Sequence, residues 1–341
     1  MRPEKKMFSG RNLNPALSIV CIKVALNTEN TSGDSMKHAL IFGLFLACAT
    51  PTYAKSVSVG PAERPATLKL PKQYDGKKKL PLVLMLHGRG NTPEIADILL
   101  GLSRAQDAHG YLLLMPKGKV RSDGQTFWNA TPECCDTDNT GIDDSGYLQN
   151  LVRETIANYN VDESRVYIYG HSNGGFMAYR LACDTNGLFK GVVSLAGSVF
   201  AEPSLCKTET PINILQVHGD EDSIVPFDTE GTGKAYPGAF GTLEFWAERN
   251  GCQTRVDKAK DQDLLLIKWE LLPDDKGGLK PSGSLSDFLT PGLAKETDTY
   301  TYNDCEGGTR TALWRIRGAD HAPIMIGRDY VGKTFKFIDG Q

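Results

Sequence analysis

The segment that most constrains this chain is Val166-Tyr167-Ile168-Tyr169-Gly170-His171-Ser172-Asn173-Gly174-Gly175. Its first four residues are β-branched or aromatic and make an apolar strand, while the stretch 173–183 sets Met177 and Leu181 four apart, on one face of a helix. The chain must therefore turn sharply between them. Gly170 and Gly174 leave the backbone room to do so, and the turn pushes Ser172 clear of the sheet edge.

The rest of the chain repeats that strand-then-helix rhythm. Expected strands are Ala66–Leu70, Leu82–Leu86, Tyr111–Met115, Val166–Tyr169, Gly191–Leu195, Ile212–Val217 and Thr311–Ile316. Several are apolar throughout, as parallel strands covered on both faces should be. Helices are expected over Ser145–Tyr159, Asn173–Cys183, Gly241–Asn250 and Asp329–Ile338, with Asp144 as an N-cap. The pattern implies an α/β fold, a mostly parallel central sheet with helices on both faces. Two stretches break it. Ser122–Gly141, with Trp128 and Cys134-Cys135, reads as a polar loop at a position where such sheets place substrate-binding residues. Residues 254–299, rich in Pro and Gly, read as an irregular surface insertion within a single catalytic domain over 55–341.

Composition narrows the function classes. With 40% hydrophobic and 23% charged residues the chain is an ordinary globular protein, and a formal charge of -3 offers no footing for nucleic acid or an anionic membrane. Met36-Lys37-His38, the apolar run Ala39–Ala47 and Thr52-Tyr53-Ala54 together read as a removable signal peptide over 36–54. The run is too short to span a bilayer, so no membrane association is expected after its removal. Residues 1–35 then read as an upstream extension with Met36 as the true start, and cleavage before Cys48 is the lipoprotein alternative. A secreted or periplasmic monomer is expected. Of eight cysteines, six remain in the mature chain, an even number that suggests disulfides in an exported protein.

A serine hydroxyl becomes a nucleophile only when a base takes its proton, and the base needs a group to fix its tautomer. Where a GxSxG turn serves this chemistry, chain order runs Ser, then Asp or Glu, then His. Downstream of Ser172 the only histidines are His218 and His321. His218 opens the carboxylate-bearing loop His218-Gly219-Asp220-Glu221-Asp222 at a strand end and reads as a turn residue; His321 follows the late strand and is the expected base. Asp220, Glu221 and Asp222 compete for the acid. The oxyanion that forms on attack needs fixed N–H donors, expected from the backbones of Asn173 and Arg89, the latter in Leu86-His87-Gly88-Arg89-Gly90. His87, Trp128 and His171 are candidates for lining the substrate site, His87 having a competing reading as a structural hydrogen-bonder. Neither zinc-ligand spacing nor a phosphate-cradling glycine loop is present, so no metal and no cofactor are expected.

On LMLHGRG, WNATPECC, GIDDSGYL, YIYGHSNGGFMAYRLACD, VVSLAG, HGDEDSIVP and FWAERNGC, the chain resembles the poly(3-hydroxybutyrate) depolymerase-like esterases of the α/β-hydrolase fold, a group that includes feruloyl and acetyl-xylan-type esterases. The resemblance spans about residues 64–338. It implies that the aspartate of HGxxDxxVP, here Asp222, is the acid. It places His321 in a segment resembling GGGHxWP, where this chain has Gly318-Ala319-Asp320-His321-Ala322-Pro323 and so lacks the tryptophan. The implied activity is hydrolysis of small or oligomeric carboxylic esters through an acyl-enzyme. Feruloyl or related plant-wall esters are expected first, because no adsorbing domain for an insoluble polyester is seen in the chain. Depolymerase action is the alternative, and an acyltransferase or an inactive binding module are alternatives from other classes. By position, Cys183 at the end of the helix after Ser172 is expected to pair with Cys206, and Cys252 with Cys305 across the insertion. Cys134 and Cys135 are then bridged to each other or free.

Overall fold

The structure, a computed structural model, describes residues 55–253, 256–262, 264, 270–273, 279–282, 296–323 and 329–340. The expected extension, signal peptide and Cys48 lie outside the described residues. The N-terminal half contributes β1 (Lys55–Val59), β2 (Ala66–Leu70), β3 (Leu80–Leu86), α1 (Pro93–Leu100), α2 (Leu102–His109), β4 (Leu112–Met115) and the short pair β5 (Lys119–Val120) and β6 (Thr126–Phe127). Then come α3 (Asp144–Asn158), β7 (Val161–His171), α4 (Asn173–Asp184), β8 (Gly191–Leu195), β9 (Asn213–Gly219) and α5 (Ala239–Arg249). The last stretch holds β10 (Val256–Gln262), β11 (Glu270–Pro273), β12 (Leu279–Ser282), β13 (Thr297–Tyr302), β14 (Thr311–Ile316) and α6 (Tyr330–Asp339).

One sheet organises these elements, in the order β1-β2-β4-β3-β7-β8-β9-β14-β13-β10. The strands from β4 to β14 in that order run parallel, and antiparallel strands close both flanks. Side chains alternate across the sheet with period two. Leu82, Leu84, Leu86 and Ile168 enter one core with Phe176 and Leu148, while Val83, Met85, Tyr167 and Tyr169 enter the other with Leu99 and Phe335. Hence α3 and α4 cover one face and α1, α2 and α6 the other. This double cover is why the central strands are apolar throughout.

Three expectations need correction. The 254–299 insertion is not irregular throughout: β10 joins the sheet beside β13, and β11 pairs with β12 as a hairpin. The Pro and Gly content pointed to turns and hid the strands between them. The helix cap is Asp143, whose side chain accepts from the Gly146 N–H at 2.7 Å. Asp144 is buried instead, bound to Arg64 at 2.6 Å and to the Asn129 N–H at 2.7 Å. Finally β1, α1, α2 and β13 were not expected; the two helices have only eight residues each, too short for a strong periodic signal.

Candidate active site

Ser172 stands between β7 and α4 with φ 55° and ψ -125°, a conformation an L-residue rarely adopts. Its N–H donates to the Leu195 carbonyl of β8 at 2.8 Å, and its carbonyl accepts from Gly175 and Phe176, so the turn is anchored on both sides. The flanking glycines are sterically required. A Cβ on Gly170 would lie 2.2 Å from the Gly174 carbonyl oxygen, and one on Gly174 would lie 2.2 Å from that of Leu86. This crowding keeps the serine at the strand's carboxyl edge with its hydroxyl facing out.

The structure brings Ser172, His321 and Asp222 together. His321 Nε2 lies 2.8 Å from Ser172 Oγ, and its Nδ1 lies 2.8 and 3.0 Å from the two carboxylate oxygens of Asp222. Asp222 also accepts from the backbone N–H groups of Ile224 and Val225 and from His218 Nε2 at 3.1 Å. Burial acts to raise its pKa, but the hydrogen bonds from His218 and His321 outweigh it and hold the carboxyl well below the usual carboxylate range. Asp220 is engaged elsewhere: Arg315 binds it at 2.7 and 2.9 Å and the Gly318 N–H at 2.6 Å. Glu221 is exposed.

His218 has more than a turn role. Gln216 Nε2 reaches its Nδ1 at 2.9 Å; with that atom as acceptor, Nε2–H is the donor facing Asp222 and the Val225 carbonyl. The readable signal was spacing: Gln216 and His218 share one face of β9, and Asp222 follows four residues later. His171 lines the site through its position beside the base. Its Nε2 lies 3.0 Å from the His321 carbonyl, and the two rings are 4.9 Å apart. Burial, aided by His321, lowers the His171 pKa to about 3, so it stays neutral.

Among the described residues the backbone N–H groups of Arg89 and Asn173 donate to no protein acceptor, as oxyanion donors must remain free to do. The Asn173 side chain is clamped to the Trp128 backbone, accepting from its N–H at 2.8 Å and donating to its carbonyl at 2.9 Å. Two substrate-lining expectations are corrected here. Trp128 is fully buried and its Nε1–H donates to the His87 carbonyl at 3.0 Å. His87 is equally buried, with Nδ1 2.8 Å from the Gly88 carbonyl and Nε2 accepting from the Gly118 N–H at 2.9 Å. Both brace the segment that leads to Arg89. Burial lowers the His87 pKa to about 4.

A cavity of about 560 Å³ opens over Ser172 and His321, a size suited to a small organic ester. Phe176, Val225, Tyr236 and Ala322 supply apolar lining. Cys134 and Cys135 are bonded to each other and line the same cavity. Cys183 is bonded to Cys206, and Cys252 to Cys305.

Comparison with known proteins agrees with this geometry. The phospholipase/carboxylesterase family matches residues 126–242, which contain the Ser172 turn and Asp222. The chain is 31% identical over 276 residues to a probable feruloyl esterase C of Aspergillus clavatus, covering 80% of this chain and 81% of that one. It is 35% identical over 161 residues to NocK of Nocardia uniformis subsp. tsuyamanensis, named as an esterase, but spans only 45% of that protein's length. It spans 42% of feruloyl esterase B of Piromyces equi, at 25% identity. An acetyl xylan esterase from Aspergillus awamori shares the fold, with a TM-score of 0.57 at 14% identity over 84% of this chain and 99% of that one. The chain therefore belongs to the feruloyl esterase-type α/β-hydrolases, a family of carboxylic ester hydrolases.

Proposed function

We propose that the protein is an exported serine esterase that cleaves feruloyl or related plant-wall-derived esters through an acyl-enzyme on Ser172. The observation that carries this reading is the unbroken hydrogen-bond chain Ser172 Oγ, His321, Asp222 at a cavity that opens over the serine. Ser172 Oγ attacks the ester carbonyl carbon while His321 Nε2 takes the hydroxyl proton. The carbonyl electron pair moves onto oxygen, where the Arg89 and Asn173 N–H groups receive it. Collapse breaks the bond to the alcohol oxygen, which leaves with the proton from His321. Water then gives a proton to His321 and attacks the acyl carbon, releasing the acid and restoring Ser172. Asp222 keeps Nδ1 protonated and steadies the transient imidazolium. Three disulfides support an oxidising, exported setting, and the similarity to feruloyl esterases supports the acyl class.

The test is labelling by a fluorophosphonate together with hydrolysis of methyl ferulate, short p-nitrophenyl esters and a poly(3-hydroxybutyrate) film. Wild type should label and cleave methyl ferulate in preference to the film, while Ser172→Ala should lose the label and about 10⁴-fold or more of the rate. A Ser172→Ala protein that still labels would remove the serine from the mechanism. Faster attack on the film would reassign the substrate.

A further inference from the structure

One stretch lines the catalytic cavity without serving the steps above: Glu133-Cys134-Cys135. The Ala130 and Thr131 N–H groups donate to the Cys134 carbonyl at 3.1 and 2.6 Å, and the Cys134 N–H returns a bond to Thr131 at 2.9 Å, folding the segment into a tight turn. Asn173 Nδ2 reaches Cys134 Sγ at 3.5 Å, which ties the turn to the residue after the nucleophile. Glu133 Cα then lies one peptide, about 3.8 Å, beyond that of Cys134. Two features of this turn point outward to a ligand. The bonded sulfurs offer a polarizable, donor-free surface of the kind that packs well against an aromatic ring. Half-buried Glu133 has an enclosed Oε2 that accepts no hydrogen bond. The other charged groups around the cavity are Arg89, Asp123 and Lys234, and neither cation pairs with Glu133. Leaving a carboxylate oxygen without a donor is costly, so a carboxylate that lines a catalytic cavity with no protein donor on its enclosed oxygen is suited to a donor arriving with the substrate. The last torsion of a glutamate is broad and roughly two-fold, so either oxygen can turn to meet it at little cost.

We propose that the Glu133–Cys135 turn selects acyl groups built on an aromatic ring that bears a hydroxyl, the bonded sulfurs of Cys134 and Cys135 packing against the ring while Glu133 accepts the hydroxyl proton in a hydrogen bond. This rests on the feruloyl reading and assigns its selectivity to named atoms. The experiment compares kcat/KM for methyl ferulate, for methyl 3,4-dimethoxycinnamate, whose ring oxygen is capped, and for p-nitrophenyl acetate. Wild type should favour the hydroxylated ester over its capped analogue by about 10- to 100-fold, the range for a hydrogen bond to a charged acceptor. Glu133→Ala should bring that ratio close to one by slowing methyl ferulate, and Glu133→Gln, which keeps a carbonyl acceptor, should retain part of it. Cys134→Ala/Cys135→Ala should lower the ratio of methyl ferulate to p-nitrophenyl acetate. An unchanged preference in Glu133→Ala overturns the proposal, as does an equal loss on all three esters, which would mean a merely structural role. If wild type cleaves both cinnamates at equal rates, the proposal falls and the feruloyl reading stands. If it cleaves p-nitrophenyl acetate and neither cinnamate, both fall.

Discussion

The two walls of the catalytic cavity are wired differently. On the base side, Asp222 takes bonds from His321, His218, Ile224 and Val225, and His218 uses both ring nitrogens, one of them on Gln216. On the Glu133–Cys135 side, Glu133 Oε2 has no partner, although the backbone around it is tightly bonded. A group whose bonds are all internal holds a geometry. A carboxylate that lines a cavity without a protein donor can turn to what enters. In the proposed function the bonds on Asp222 serve the reaction and the Glu133–Cys135 turn chooses the reactant, although the base side too has one buried unpartnered atom, His171 Nδ1.

The sharpest way to break the committed wall is at Asp222. In Asp222→Asn the amide keeps the shape but holds the wrong imidazole tautomer and no longer balances the imidazolium. The expected result is a fall in kcat of about 10³- to 10⁴-fold with little change in KM, measured on p-nitrophenyl acetate. A loss smaller than tenfold would show that another group orients His321.

The catalytic wall was also the more legible in the sequence. GxSxG between a strand and a helix marks the turn at Ser172 because the glycines answer a local steric demand, and His321 was one of only two downstream histidines. Choosing Asp222 over Asp220 needed the family pattern, since which carboxylate turns inward depends on Arg315 and Gly318, nearly a hundred residues away. The central strands were legible because burial on both faces leaves few polar residues. The opposite wall was not. Trp128 and His87 look like ligand-binding residues by type, yet the fold turns both inward behind Asn173 and the oxyanion loop. Which members of a polar loop face a cavity is decided by long-range packing, and no local periodicity encodes it.

Acid should expose a cost of that inward packing. His87 and His171 are held neutral, with pKa values lowered by burial to about 4 and about 3, while in the unfolded chain each titrates near 6.5. Between those limits the unfolded state binds more protons, so stability falls as pH drops below about 6.5 and is independent of these groups above it. Asp222 acts in the opposite sense and lower: its depressed pKa adds stability that is lost only below the ordinary carboxylate range. His87→Asn should be less stable than wild type at pH 7.5, and the gap should narrow by about 2 kcal/mol at pH 5, because the variant no longer carries the titrating ring. Urea unfolding at the two pH values measures this. Parallel losses would mean that the His87 proton is not linked to folding.

The smallest effect should come from the neighbouring aspartate, and it isolates what the base-side wiring does. Asp220 and Asp222 leave the same loop after β9, but Asp220 points to Arg315 and the Gly318 N–H, with no bond to His321. It braces the segment that carries the base without touching the reaction. Asp220→Asn keeps an oxygen for the Gly318 N–H and loses the charge facing a partly exposed Arg315, whose side chain is 35% accessible, so solvent already screens much of that pair. Activity on p-nitrophenyl acetate should stay within about threefold. Thermal unfolding should shift by about 1–2 °C at most, since about 1 kcal/mol against roughly 2.1 cal/mol/K per residue moves the midpoint of a chain this long by only that much. If Asp220→Asn instead lost as much kcat as Asp222→Asn while remaining as stable as wild type, the two carboxylates would act as one unit. The division between a residue that orients the base and one that only braces its loop would then be wrong.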